Sequence, residues 1–267
     1  MNIKTMFMKQ SELNIKAHNS NIMSRLEHDI DTMQNTTMSD MSLYDMTISE
    51  THRIMKDIMK TKIADISKKS SRDGRLDSAN KEAEILTPLK DGLLNAYPTW
   101  DIKITKARAC CDIIINGIWI DLKIVDVGAS NSGNKKSIYR SITALDDYKE
   151  ASTWNEFLER LVNDKKYGKF KTIRDKTTEY HYLVISKKTG DVILKSIFDV
   201  HTFKSNPSND LQINWNNEFQ HRDYMTPDNQ YMSKVHELLS TLQKSVRDDI
   251  ERNQKFPNTD LKGLLGI

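Results

Sequence analysis

Apolar residues recur at helical spacing near the start of the chain. Residues 1–73 contain neither glycine nor proline, and ten of the twelve methionines fall within the first 59 residues. Isoleucine and methionine repeat there at intervals of three or four residues, which marks one side of a helix: Ile54, Met55, Ile58, Met59, Ile63 and Ile66. The pattern predicts a helical N-terminal segment over residues 1–70, with its clearest helix from about Ser49 to Ser67. Its methionine-rich side fits a helical core or a dimer contact, with a groove for a partner peptide or a contact to DNA as alternatives.

The second predicted helix follows a polar linker, Lys68–Arg75, and extends from about Ser78 to Ala96. Pro88 lies inside this helix and removes the hydrogen bond to the carbonyl of Glu84, so a bend is expected there.

The rest of the chain alternates between strand and helix patterns: a strand and hairpin in residues 100–125, a polar loop over 126–137, a helix in 153–164, strands in 180–186 and 191–200, a turn-rich stretch over 204–231 and a helix from about Asn229 to Arg252.

The stretch Cys111–Lys123, CDIIINGIWIDLK, predicts a β-hairpin. Asn116 and Gly117 form a two-residue turn signal, because both tolerate the positive φ of a type I′ turn. A two-residue turn fixes the register of the strands: Ile115 lies opposite Ile118, Ile114 opposite Trp119, Ile113 opposite Ile120 and Asp112 opposite Asp121. Lys123 lies two residues beyond Asp121 and therefore points to the same face.

This register brings two carboxylates and one ammonium together beside an apolar face. Opposed residues have Cβ atoms roughly 4.5–5.5 Å apart, and like charges at that distance destabilise a sheet. A divalent cation would offset the repulsion between Asp112 and Asp121, and hard carboxylate oxygens suit Mg²⁺. A metal ion with a neighbouring lysine is suited to the hydrolysis of a phosphodiester. The alternative is a structural ion cluster in which Lys123 simply neutralises the two acids.

Composition narrows the remaining function classes. The chain has 267 residues and a net charge of only +3, whereas a purely electrostatic nucleic-acid binder would be more basic. An acidic metal site combined with basic grooves fits a charge near neutral. The adjacent cysteines, Cys110 and Cys111, lack the spacing of a disulfide framework or a zinc site, which favours a reducing, cytoplasmic setting. No stretch has the ~20 apolar residues of a membrane span, and no glycine-rich phosphate loop indicates an ATP-driven enzyme.

The spacing Asp-x8-Asp-x-Lys on a hairpin, formed by Asp112, Asp121 and Lys123, resembles the catalytic core of the PD-(D/E)XK nuclease superfamily. Cys111 stands in place of the usual proline, which is not a metal ligand. The resemblance implies an α/β (α+β) fold with a restriction-endonuclease-like core over residues 71–267. In that fold a mixed β-sheet is flanked by helices, here after a helical N-terminal addition.

The same resemblance implies a metal site and a third acid. Mg²⁺ would be held by Asp112, Asp121 and the backbone carbonyl of Leu122, with Mn²⁺ as a substitute and with Ca²⁺ supporting DNA binding without cleavage. An acid on the helix before the hairpin often completes the catalytic set in this superfamily. Glu84, four residues before the proline of that helix, fits this position better, and Glu82 is the alternative.

A narrower resemblance covers Phe203–Asp223, FKSNPSNDLQINWNNEFQHRD, which is similar to the region after the catalytic core in HincII-type type II restriction endonucleases. Lys-Ser-x-Pro-Ser, Ile-Asn-Trp and His-x-Arg-Asp recur there in this order, the last shortened here to residues 221–223. The resemblance implies a homodimer that cuts double-stranded DNA at a short palindromic site, leaving blunt ends. It also implies a restriction–modification system that contains a cognate DNA methyltransferase.

Several polar and basic residues are candidate DNA contacts in such an enzyme. The loop after the catalytic strand offers amide, hydroxyl and ammonium groups that can read base edges: Asn131, Ser132, Asn134, Lys135, Lys136 and Ser137. A basic stretch with interleaved aromatics, residues 163–176, can grip phosphates through Lys169 and Lys171, although a charge run is usually a solvated face. The later candidates are Asn214, Gln220, His221 and Arg222, whereas Trp215 fits the core.

Two other functions fit the same residues. A repair, recombination or phage nuclease of the same superfamily would recognise the structure of DNA instead of its sequence. A DNA-binding protein that kept the fold would carry out no catalysis. The complete set of Asp112, Asp121 and Lys123 argues against the second of these.

Overall fold

The structure, a computed structural model, describes most of the chain between residues 41 and 254. The described residues are 41–66, 74–106, 109–125, 129–131, 133–163, 170–208 and 210–254, with the backbone alone at 65–66, 74–81, 129–131 and 254. The chain divides into two compact units, Met1–Met46 and Thr47–Ile267. Across the described residues, no helix is both long enough and apolar enough to cross a membrane.

Two β-sheets lie in the larger unit. Their strands are β1 (Ile102–Ile104), β2 (Ile113–Ile115), β3 (Ile118–Val125), β4 (Ala129–Asn131), β5 (Tyr180–Ser186), β6 (Val192–Ser196), β7 (Phe203–Asn206) and β8 (Asp210–Asn214). The first sheet has five strands in the order β1-β2-β3-β5-β6, and the second has three in the order β4-β8-β7. Among the strand pairs of the described residues, β3–β5 is parallel and the others are antiparallel. The predicted mixed sheet is therefore confirmed.

Helices flank this mixed sheet, as the sequence predicted. They are α1 (Leu43–Ile66), α2 (Gly74–Ala96), α3 (Lys135–Thr143), α4 (Trp154–Asn163), α5 (Trp215–Gln220) and α6 (Tyr231–Gln254). The predicted helices near residues 49–67, 78–96, 153–164 and 229–252 correspond to α1, α2, α4 and α6. The division between the two units falls inside α1, whereas the sequence predicted a segment boundary near residue 70.

Residues 47–66 of α1 are tied to the five-stranded sheet. Asn116 Nδ2, in the hairpin turn, donates to Thr47 Oγ1 at 2.9 Å, and His52 Nε2 lies 3.0 Å from the carbonyl oxygen of Val192. The methionines at helical spacing contribute to the core, since Met55 is fully buried and Met59 is 2 % exposed. The predicted methionine-rich side of the helix is thus packed within this unit.

An aromatic core fills another part of the same unit. Trp215 is fully buried, which confirms its predicted place in the core, and its ring centroid lies 5.2 Å from that of Tyr182 on β5. Tyr231, at the start of α6, meets Phe198 edge-on at 5.0 Å. These side chains belong to one hydrophobic cluster that also contains Tyr139 of α3. The cluster joins α3, α5 and α6 to the sheet.

The structure corrects the sequence interpretation in two segments. Residues 126–137 were predicted as one polar loop, but β4 lies within them and α3 begins at Lys135. The side chain of Asn134 caps that helix by accepting a hydrogen bond from Ser137 N. The stretch 204–231 was predicted as turn-rich, but it contains most of the β7–β8 hairpin and all of α5.

We expect Gly92→Ala to lower the free energy of unfolding. A Cβ at Gly92 in α2 would lie 2.9 Å from Ile54 Cγ2 in α1, which is too close. Overpacking of this kind costs about 1–3 kcal/mol, against a gain of about 1 kcal/mol from the higher helix propensity of alanine. Ile54→Ala removes the clashing atom, so Gly92→Ala should be neutral or stabilising in that background.

Urea unfolding of the two single variants and the double variant measures this coupling. An equal cost of Gly92→Ala with and without Ile54 would show that α1 and α2 do not meet at this point.

Candidate active site

The hairpin turn sets the geometry of the candidate site. Asn116 and Gly117 have φ values of 50° and 81°, as a type I′ turn requires. The β2–β3 register is the one predicted from the sequence: Ile113 pairs with Ile120, Ile114 with Trp119 and Ile115 with Ile118. The paired register ends at Ile113, and the predicted pairing of Asp112 with Asp121 is not part of it. Asp112 N instead donates to the carbonyl oxygen of Ile120 at 3.0 Å, one residue out of register, as in a β-bulge.

The carboxyl group of Asp112 is held against the facing strand. Its Oδ2 accepts a hydrogen bond from Leu122 N at 2.7 Å. Burial raises the pKa of Asp112 to about 7, the charge of Asp121 raises it as well, and the two carboxyl groups are in hydrogen-bond contact. A proton on Asp112 therefore relieves the repulsion between the two acids, in the place where a cation would do the same.

Lys123 forms an ion pair with Asp121 on the same face of β3. The pair joins Lys123 Nζ to Asp121 Oδ2, and the lysine side chain keeps 28 % of its surface exposed. Burial lowers the pKa of Lys123, but the carboxylates of Asp121, Asp112 and Glu82 outweigh it and raise the pKa overall. The ammonium is therefore charged at neutral pH and remains accessible to a ligand.

The structure distinguishes the two candidate acids on α2. Glu82 is half-buried and lies near enough to Lys123 to raise the pKa of the ammonium, whereas Glu84 is exposed. Residues two apart on an α-helix point about 200° away from each other. Only one of the two glutamates can therefore face the hairpin, and the charge acting on Lys123 is that of Glu82.

Two tyrosines of β5 complete the surroundings of Asp121. Tyr182 pairs with Asp121 across the parallel β3–β5 ladder, and Tyr180 is in hydrogen-bond contact with the carboxyl group. Both are buried, and burial together with the charge of Asp121 raises the pKa of each hydroxyl well above its usual value. Sequence analysis missed them, because no local pattern predicts which distant strand pairs with β3.

The donor atoms fit a small hard cation. Mg²⁺ is commonly bound through one or two carboxylates and completes its shell with water and substrate phosphates, and Asp112 and Asp121 supply two carboxylates side by side. Among the described residues, no group of three or more His, Cys, Asp and Glu side chains is arranged to hold a metal ion. The pair therefore suits an ion that shares its coordination with substrate, with the carbonyl of Leu122 as the predicted third ligand.

The residues after β3 that were predicted to contact DNA differ from one another in exposure and in hydrogen bonding. Ser137 is 1 % exposed and donates to the carbonyl oxygen of Cys110 at 2.9 Å, so its hydroxyl is committed. Asn134 uses its side-chain oxygen as the cap of α3, and Lys135 Nζ donates to the carbonyl of Ser152 at 3.2 Å. Lys136 is exposed above the ring of Trp119. Only the backbone of Asn131 is described, and Ser132 lies outside the described residues.

The other predicted contacts are scattered. Lys171 is half-buried, and its Nζ donates to Asp175 O and Thr178 Oγ1 at 3.0 and 2.8 Å; burial lowers its pKa to about 8. Lys169 lies outside the described residues. Gln220 and Arg222 are exposed, Asn214 is exposed and caps α5, and the ring of His221 stacks on that of His201 at 4.0 Å. The structure does not gather these residues around the hairpin acids.

Comparison with protein-family models finds no matching family, and comparison with curated proteins finds no matching sequence.

In metal-free solution, we expect Asp112→Asn to change how stability depends on pH. The folded-state pKa of Asp112 is raised from 3.8 to about 7. The folded protein therefore holds a proton that the unfolded chain has lost, and this contribution to stability declines as pH rises from about 4 to above 7. Asparagine removes the linkage, so the variant should gain on the order of 1–2 kcal/mol over wild type between pH 5 and 8.

Urea unfolding in EDTA at several pH values tests this, with the exposed Asp101→Asn as the matched control. Parallel stability curves for wild type and Asp112→Asn would contradict the repulsion between the two acids.

Proposed function

We propose that this protein is a Mg²⁺-dependent endonuclease that hydrolyses phosphodiester bonds in double-stranded DNA. The observation that carries the proposal is the contact between the carboxyl groups of Asp112 and Asp121 beside the ammonium of Lys123. Like charges held close together on a sheet are destabilising. Two carboxylates that are close together and partly buried gain stability when a cation binds between them. Such a site is suited to a bound cation and, through the cation, to a phosphate.

Each residue has a distinct role in the proposed reaction. A Mg²⁺ ion held at the site would supply polarisation of the phosphate and activation of a water. Asp112 and Asp121 supply the carboxylate oxygens of the metal site, and the bond from Leu122 N holds Asp112 in orientation. Because its pKa is raised, Lys123 acts as an ammonium that orients the attacking water and stabilises negative charge on the phosphorane.

Glu82 is the better candidate for the third acid of the site. Its charge reaches Lys123, so it is positioned to share in orienting the ammonium or the attacking water. This proposal reverses the preference for Glu84 that the proline spacing suggested. Glu84 is exposed on α2 and carries no comparable link to the hairpin.

The finer parts of the proposal rest on the resemblance in sequence. A restriction-endonuclease-like core is compatible with a mixed sheet in which an antiparallel hairpin is followed by a parallel strand. Sequence-specific blunt cutting by a homodimer, in a system that includes a DNA methyltransferase, is supported by the motifs within residues 203–223. A symmetric site is matched most simply by a two-fold symmetric protein.

Asp121→Asn and Lys123→Ala should each abolish cleavage while DNA binding survives. Loss of a group that acts in the transition state costs about 10²–10³ in rate or more. Supercoiled plasmid incubated with Mg²⁺ reports nicking and linearisation, and discrete fragments on larger DNA report sequence specificity. Binding is measured in Ca²⁺, which accepts the same oxygen ligands in looser coordination and should support binding without cleavage.

Lys60→Ala, an exposed lysine of α1 paired with Asp57, is the matched control and should cut at the wild-type rate. Wild-type cleavage by either site variant would refute the active-site assignment. A smear without discrete fragments would favour a nuclease that recognises DNA structure. DNA binding by wild type without any cleavage in Mg²⁺ or Mn²⁺ would favour a non-catalytic DNA-binding protein.

Glu82→Gln should reduce cleavage strongly, and Glu84→Gln should leave it within a factor of about two. The two variants make the same chemical change two residues apart on one helix, so each controls for the other. We expect the Glu82 variant to lose at least 10-fold in rate, because it removes a charge that acts on Lys123. The reverse ranking would restore Glu84 as the third acid.

A further inference from the structure

A cavity of about 540 Å³ lies beside the hairpin and is unused by the chemistry described above. Its lining consists of Ala109, Cys110, Asn134, Lys135, Lys136, Tyr148 and Glu150. The volume falls in the range of roughly 300–1,000 Å³ typical of small-ligand sites. Two of the lining side chains are cationic and one, the exposed Glu150, is anionic. The cavity is therefore a candidate site for an anionic group.

The cavity borders the face that carries the acids. Cys110 comes two residues before Asp112, and its carbonyl is bonded to Ser137 of α3. Lys136 Nζ lies 5.6 Å from the ring centre of Trp119, and Trp119 shares its face of β3 with Asp121 by strand alternation. Two strand residues span about 6.6 Å, so the ring under Lys136 and the carboxyl group of Asp121 are near neighbours on that face of β3.

Lys136 is the uncommitted cation of this group. Lys135 donates to the carbonyl of Ser152, and Arg140 donates to Gly117 O, Thr178 O and Asp146 Oδ1. Within the part of the chain that the structure describes, Lys136 makes a contact to the Trp119 ring and no hydrogen bond or ion pair. An exposed contact of that kind is worth about 0.5–1 kcal/mol, so the ammonium can move to a stronger partner at little cost.

The chemistry of the lining favours a phosphate over a base edge. Asn134 already uses its side-chain oxygen as a helix cap, and the hydroxyl of Ser137 is buried and bonded. These two of the groups expected to read bases are thus engaged in holding α3. What remains is a mobile point charge, and lysine binds phosphate in that manner.

We propose that this cavity binds a backbone phosphate of the strand being cut, close to the scissile phosphate, with Lys136 as its cation. This inference rests on the proposed function, because it assigns a substrate contact to the same site. A phosphate contact positions the strand over the acids and adds affinity for every sequence equally. Lys136 is accordingly a positioning residue and contributes no sequence readout.

The first test measures the affinity of the full-length protein for a 30-base-pair duplex in Ca²⁺ at a series of KCl concentrations. Lys136→Ala should weaken binding and lower the slope of log affinity against log salt by about one, because one phosphate contact is lost. Lys136→Arg keeps the charge and should keep the slope. Lys188→Ala, an exposed lysine of the β5–β6 turn, is the matched control and should change neither quantity.

The second test uses the two cysteines as a direct report on the cavity. Cys110 lines it, whereas Cys111 is 2 % exposed, so a thiol reagent should label Cys110 first. Saturating duplex DNA should slow this labelling at least 10-fold. Glu150→Gln removes the anionic side chain from the lining and should strengthen binding of the duplex.

The outcomes separate the inference from the function. No binding to DNA and no cleavage would overturn both. Two results would overturn the phosphate site alone, provided that the wild-type protein cleaves DNA. The first is an unchanged salt slope for Lys136→Ala, and the second is labelling of Cys110 that duplex DNA does not slow. A loss of affinity in Lys136→Ala that is confined to one recognition sequence would also overturn it, because such a loss identifies a base contact.

Discussion

The close contact between the carboxyl groups of Asp112 and Asp121 is the constraint on which the candidate site depends. A type I′ turn at Asn116 and Gly117 allows no slippage, since a shift of one residue would turn the isoleucines outward. That register buries Ile113 and Ile120, and the hydrogen bond from Leu122 N to Asp112 Oδ2 then holds Asp112 beside Asp121. Burial and proximity then raise the pKa of Asp112. The fold thus supports an arrangement that is unfavourable until a proton or a cation is bound.

A buried ion network at the start of β5 holds the strand that flanks this hairpin. The guanidinium of Arg174 is 1 % exposed and contacts Glu179 and Asp199 at 2.8 and 2.9 Å. Glu179 directly precedes Tyr180, which touches Asp121. Removing one partner of a buried ion pair costs about 3–5 kcal/mol. The network therefore ties the surroundings of Asp121 to distant parts of the chain, including the carbonyl of Thr226.

Local constraints were readable from the sequence, and long-range ones were not. The turn and the alternation of residues predicted the three hairpin pairs that the structure shows, because a two-residue turn fixes the register. The departure of Asp112 from that register was not predicted. The parallel pairing of β5 with β3 depends on contacts across about 60 residues, so Tyr180 and Tyr182 could not be anticipated. Glu82 and Glu84 differ only in helical phase, which the packing of α2 decides. The start of α3 carried a readable signal, the Asn134 cap, within a stretch interpreted as loop.

The cations illustrate why composition alone is a weak guide to a DNA-binding surface. Lys171 and Lys135 were equal candidates with Lys136 in the sequence, yet their ammonium groups donate to Thr178 and Ser152. Such cations stabilise the loops that they hold, and moving them to a phosphate would break hydrogen bonds worth about 1 kcal/mol each. Among the described residues, Lys136 contacts the face of the Trp119 ring and the charge field of Cys110, and it makes no hydrogen bond. Under the proposed function, a chain with a net charge of +3 would contact a phosphate through a cation such as Lys136 beside its acids, without an overall basic surface.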